Sequence, residues 1–90
     1  MSIKVNFPWF LQHATGGIKN AEVNGHTVGE CIDAIVAAYP RIKEELYDKE
    51  GNFSPYIDIL IDGRSVYKQG LSQPIAPGSQ LSLLLIVDGG

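Results

Sequence analysis

The sequence predicts an α+β fold, a sheet of four to five strands with one main helix packed on one face. Two features carry this expectation. Apolar and polar residues alternate in runs near both ends and in the second half of the chain, and one stretch between them repeats its apolar positions with helical spacing. Ninety residues make one domain that buries about 60 to 65 per cent of its unfolded surface, with no room for a second core. An apolar fraction of 44% with only 19% charged residues places the chain among globular rather than disordered sequences.

Ile3, Val5 and Phe7 alternate with Lys4 and Asn6, the period of a strand with one buried face, and Pro8 closes it. The breaker pair Gly16-Gly17 interrupts the segment that follows, and Ala21 and Val23 then alternate with Asn20, Glu22 and Asn24. The two runs fit a hairpin with a wide loop. Asn24-Gly25 marks a turn, and Thr27 with Glu30 three residues later reads as a capping box that opens a helix. Val28, Cys31, Ile32, Ile35 and Tyr39 form its apolar stripe, Glu30 and Asp33 complement its positive end, and Pro40 stops it.

After a short helical turn over Ile42 to Tyr47, the sequence YIDILIDG alternates Ile57, Ile59 and Ile61 with Asp58, Leu60 and Asp62. Asp62-Gly63 suits a tight reversal into a short strand around Ser65 to Tyr67. Pro77-Gly78 fits the centre of a type II turn ahead of the last strand, Leu81 to Val87. That strand is apolar on both faces, with Leu81, Leu83, Leu85 and Val87 on one and Leu84 and Ile86 on the other, so a central position in the sheet is expected. The register that buries Ile57, Ile59, Ile61, Leu83 and Leu85 under the helix turns Leu60, Leu84 and Ile86 to the opposite face. Either those three form a partner-binding patch, or the segment from Ile42 to Tyr47 or a loop covers them.

Charge and composition exclude several functions. The net charge is −3 and the seven basic residues are scattered, which is a poor footprint for nucleic acid. No apolar run approaches the roughly 18 residues of a membrane span, and the N-terminal segment lacks the pattern of a secretory signal, so cytoplasmic residence is expected. A single cysteine makes neither an internal disulfide nor an iron-sulfur site, and on the helix stripe Cys31 reads as a small buried hydrophobe. His13 and His26 have no metal-ligand spacing with each other or with Cys31, and no metal is expected. Asp58 and Asp62 share one strand face and read as solubilising. Gly16-Gly17 lacks the lysine and following hydroxyl residue of a P-loop, which leaves a plain turn. No catalytic residue, nucleotide site or bound cofactor is expected.

The chain closes on IVDGG. A frayed end is one reading of two glycines. The other is chemical: a carboxylate resists nucleophiles until it is converted to a better acyl donor. Without Cβ atoms, Gly89 and Gly90 can thread a narrow channel and present an unhindered carbonyl to a partner's active site. Three residues beyond Val87 reach only about 10 Å, so the partner must hold the sheet close to its catalytic groups.

The whole chain resembles the MoaD/ThiS family of ubiquitin-like sulfur carriers. The resemblance rests on LQHATGGIK, GHTVGECIDAIVAAYPRI, IDILIDG, Gly70-Leu71, PGSQLSLL and the terminal glycine pair. It implies a ubiquitin-like β-grasp fold over residues 1–87, a mixed sheet with the first and last strands adjacent and parallel, and a flexible tail over residues 88–90. It also implies that a ubiquitin-activating-type enzyme uses ATP to adenylate Gly90; Gly89 and Asp88 are then expected to give access, and the register-derived patch of Leu60, Leu84 and Ile86 to dock that partner. A sulfur donor then makes a thiocarboxylate, which supplies sulfur to a downstream synthase in cofactor or cysteine biosynthesis. Where such relatives often carry a proline in the last strand and a small residue before the glycines, this chain has Leu84 to Val87 and Asp88. Three alternatives stay open: a molybdopterin synthase small subunit in a stable complex, a protein modifier joined to lysines, and a plain interaction domain with an incidental tail.

Overall fold

The computed structural model describes residues 2–66 and 70–86. Five strands and two helices follow in the order β1 (Ile3–Asn6), β2 (Asn20–Val23), α1 (Val28–Ala38), α2 (Lys43–Leu46), β3 (Ile57–Ile61), β4 (Arg64–Ser65) and β5 (Gln80–Leu85). They form one mixed sheet of order β2-β1-β5-β3-β4. β5 is central, as its two apolar faces predict. It runs parallel to β1, pairing Lys4, Val5 and Asn6 with Gln80, Leu81 and Ser82, while the other pairings are antiparallel. This is the β-grasp arrangement that the family resemblance implies.

Helix α1 begins where its capping residues place it. The hydroxyl of Thr27 accepts a hydrogen bond from Glu30 N–H at 3.2 Å. The Glu30 carboxylate reaches back to the N–H of His26, one residue before the cap, at 3.0 Å. Both contacts satisfy donors at the helix start that have no intrahelical partner. Val28, Cys31, Ile32 and Ile35 are buried, so the 3.6-residue period becomes the core stripe. α1 ends at Ala38, and Pro40 opens a 3-10 turn over Pro40–Ile42 that leads into α2. The expected helical turn is therefore real. Ile42 and Leu46, both fully buried, pack into the same cluster as α1 rather than across the far side of the sheet.

Turn chemistry sets the sheet registers. Asp62 and Gly63 both adopt positive φ, 50° and 85°, which suits the two-residue reversal that pairs Ile61 with Arg64. The Ala76 carbonyl accepts from Ser79 N–H at 3.1 Å, and Gly78 has φ 86°, so Pro77-Gly78 occupies the turn it predicts.

Four expectations need correction. β1 ends at Asn6, and Phe7 is buried just beyond it. The short fourth strand starts at Arg64 and not at Ser65. Asp62 lies in the turn, past the end of β3, so it does not share a strand face with Asp58. Leu85, expected under the helix, is 36% exposed. β5 outruns β1 after Ser82, which leaves Leu85 paired with Ile57 on one side and with no strand on the other. Tyr67 and Val87, expected to end the fourth strand and to anchor the last, lie outside the described residues.

Leu46→Ala should lower the unfolding free energy by about 2–5 kcal/mol in urea titrations, because it opens a cavity in a closed core. Leu84→Ala, at an exposed position, should change it by no more than about 0.5 kcal/mol.

Candidate functional site

Pairing in the sheet places on one face every second residue of neighbouring strands. The face away from α1 carries Glu22 and Asn20 of β2, Lys4 and Asn6 of β1, Ser82 and Leu84 of β5, and Asp58 and Leu60 of β3. Lys4, Asn6, Asn20, Glu22 and Leu84 are exposed, and Asp58, Leu60 and Ser82 half-buried, so among the described residues neither α2 nor a loop closes over this face. Its β1–β2 half is polar. Its β5–β3 half is mixed: Leu84, 53% exposed, and the half-buried Leu60 alternate with Asp58 and Ser82, and Ile86, 46% exposed, follows just past the end of β5.

The structure adds a residue that is absent from the expected patch. Ile86 N–H donates to the Tyr56 carbonyl at 2.7 Å, which carries the β3–β5 pairing one step past Ile57 and Leu85. Tyr56 is 66% exposed. Its position two residues before Asp58 and four before Leu60 was the available signal, since strand alternation puts all three on one face.

The remaining candidates have structural tasks. Asp58 is half-buried, and its carboxylate accepts from Ile59 N–H at 2.9 Å and from the Ser65 hydroxyl at 2.8 Å. Asp62 accepts from Gln80 N–H at 2.9 Å and so ties the β3–β4 turn to the start of β5. Both carboxylates hold the sheet together, a more specific role than solubility. His13 is exposed and pairs with Glu45 of α2 at 3.0 Å, and His26 is exposed at the start of α1. Gly16 and Gly17 adopt φ 70° and 88° in a turn where Gly17 N–H donates to the Gln12 carbonyl at 2.8 Å. Among the described residues, no group of three or more histidine, cysteine, aspartate or glutamate side chains could hold a metal. No described helix is long and apolar enough to cross a membrane. Asp88, Gly89 and Gly90 lie outside the described residues.

Known proteins match both the chain and its fold. A protein named as a sulfur carrier in Archaeoglobus fulgidus is 29% identical over 91 residues and is matched along the full length of both chains. Small archaeal modifier protein 1 of Haloferax volcanii is 31% identical over 64 residues, covering 71% of this chain and 70% of that protein. A chain in the crystal structure of the Amycolatopsis orientalis BexX/CysO complex superposes with a TM-score of 0.85 at 31% identity, covering 98% of this chain and 99% of the other. No family model matches the chain. The chain belongs to the MoaD/ThiS family of ubiquitin-like sulfur carriers.

In this carrier Cys31 is fully buried against Gly25, where an added Cβ would lie 2.8 Å from its sulfur. Burial, and behind it the charge of Glu30, push the thiol up from its ordinary 9.0. The Tyr47 hydroxyl is pushed up from 10.0 by burial and by Asp33. Such a thiol is a poor nucleophile, which leaves Cys31 a packing residue.

Both groups are neutral when protonated, so the folded state holds these protons more tightly than the unfolded chain. The stability they contribute is complete below pH 9.0 and declines as pH rises past the unfolded values. Unfolding free energies measured across alkaline pH should fall above that point. Cys31→Ala should make the fall shallower.

Proposed function

We propose that this chain is a non-enzymatic sulfur carrier whose working group is the C-terminal carboxylate of Gly90. The observation that supports it most is the exposure of Leu84 on β5 and of Ile86 just past its end, in the segment that leads into the two glycines. Both side chains keep about half their surface in water, and an exposed apolar surface close in sequence to a reactive terminus suits transient docking. Tyr56 and Leu60 widen the same surface on β3.

A ubiquitin-activating-type enzyme seated there binds ATP. The Gly90 carboxylate oxygen attacks the α-phosphorus, pyrophosphate leaves, and an acyl-adenylate forms. A hydrosulfide-equivalent donor then adds to the carbonyl carbon and AMP departs, leaving a thiocarboxylate with one oxygen replaced by sulfur. The chain contributes no acid or base to either step. Its part is to present an unhindered glycine carbonyl on a tail without Cβ atoms. The thiocarboxylate passes its sulfur to a downstream synthase, and the carrier itself holds no cofactor.

A second reading is favoured by the likeness to Small archaeal modifier protein 1. In it the same activated Gly90 joins lysine amines of other proteins. Conjugates that survive reducing agent and vanish when Gly90 is deleted would mark this use.

Intact-mass analysis after incubation with the adenylating enzyme, ATP and sulfide should show replacement of one oxygen by sulfur, and deletion of Gly90 should abolish it. An unchanged mass for the full chain would overturn the carrier reading. Leu84→Ala, which leaves the opposing Asp58 undisturbed, should keep the fold while lowering conversion about tenfold or more at limiting carrier, as loss of a central docking side chain does.

A further inference from the structure

Six large apolar side chains are exposed among the described residues: Trp9, Ile18, Tyr56, Leu84, Leu85 and Ile86. All six fall at one end of the sheet. Because β1 and β5 run parallel, the loop after β1 leaves the sheet at the end where β5 exits, and antiparallel β3 begins there with Tyr56 just before it. The strand order β1-β5-β3 sets the exit of β5 between two flanks. Tyr56 stands on the β3 side and Trp9 on the β1 side.

The loop that carries Trp9 is a built platform. Leu11, Ala14 and Thr15 are buried beneath it. Leu11 N–H donates to the Pro8 carbonyl at 3.0 Å and Phe7 N–H to the Lys19 carbonyl at 2.8 Å. The Thr15 hydroxyl donates to the Ile18 carbonyl at 2.8 Å, and the Gln12 side-chain amide to the Phe7 carbonyl at 3.2 Å. Trp9 itself is 77% exposed, with its ring edge-on to Phe10 at 6.0 Å. A large aromatic held outward on an ordered loop loses little further freedom on binding, the property that makes tryptophan a frequent interface anchor.

The length of the tail decides what covers this surface. Four residues follow Ile86, and fully extended they span at most about 14 Å. An enzyme that grips the Gly90 carboxylate while resting on Leu84 and Ile86 is thereby held over the sheet end that displays Trp9. We propose that Trp9 is a second anchor for the adenylating enzyme, seated in an apolar recess of that partner with a hydrogen-bond acceptor for the indole N–H. The inference rests on the sulfur-carrier reading and adds a contact on the flank of the tail opposite Tyr56.

Trp9 is the single tryptophan of the chain, so fluorotryptophan labelling gives one fluorine NMR signal from the full-length carrier. Adding the ubiquitin-activating-type enzyme of the same organism with ATP should shift and broaden that signal. In pyrophosphate exchange, Trp9→Ala should raise the KM for the carrier about tenfold with little change in kcat, and Trp9→Phe should fall between the two. An active wild-type carrier whose fluorine signal stays put, or whose KM is unchanged by Trp9→Ala, overturns the anchor and leaves the carrier reading intact. No exchange with the wild-type chain overturns the carrier reading and the anchor with it.

Discussion

The parallel pairing of β1 with β5 is the constraint on which the rest of the molecule depends. Parallel neighbours cannot be joined by a tight hairpin, so the chain between Asn6 and Gln80 must leave the sheet and return, and α1 lies on that path. The helix covers the face where Val5 and Leu81 meet, and both are buried to within 1%. The start of the pairing is fastened outside the strands. Lys4 N–H donates to the Ser79 carbonyl and Gly78 N–H to the Ser2 carbonyl, each at 3.1 Å. The same parallel direction brings the ordered loop after β1 and the exit of β5 to one end, so a single topological choice makes both the core and the exposed apolar end.

The uncovered sheet face divides into two halves with different chemistry. Lys4, Asn6, Asn20 and Glu22 make its β1–β2 half hydrophilic, which suits an edge that must not recruit a stray strand. At the opposite edge β4 is only two residues long, both exposed, with Arg64 at its start. Asp58 and Asp62 reinforce this side through Ser65 and Gln80. Polar contacts thus secure the margins, and exposed apolar surface concentrates at the end of β5.

Much of the architecture was legible because it follows from local rules. The capping pair Thr27 and Glu30, the Asp62-Gly63 and Pro77-Gly78 turns, the helix stripe and the central place of β5 all express short-range chemistry that the residues carry with them. Leu85 was misplaced because its burial depends on how far β1 extends beside it, and no residue near Leu85 reports that length. Ile42 and Leu46 lie in a stretch too short to display a period, so their place in the core was out of reach. Among the exposed apolar side chains, the exposure of Leu84 and Ile86 followed from alternation and that of Tyr56 could have. Trp9 could not, since in FPWFL the two ends are buried and the indole between them points out, an arrangement set by a 3-10 turn over Trp9–Leu11.

The two apolar faces of β5 have separate causes. On a central strand, two-sided apolarity ordinarily means two-sided cover, and only Leu81 and Leu83 conform, both buried beneath α1. Leu84 and Ile86 keep about half their surface in water. Burying the remaining half of both side chains would be worth about 1.5 to 3 kcal/mol, well below the roughly 8 kcal/mol of a micromolar complex even before the losses of association. The β5 patch alone therefore supports weak docking. A carrier must leave one enzyme to meet the next, and weak docking suits that requirement. Productive engagement needs further contacts, and the tail and the two flanks of the β5 exit are the surfaces within reach to supply them.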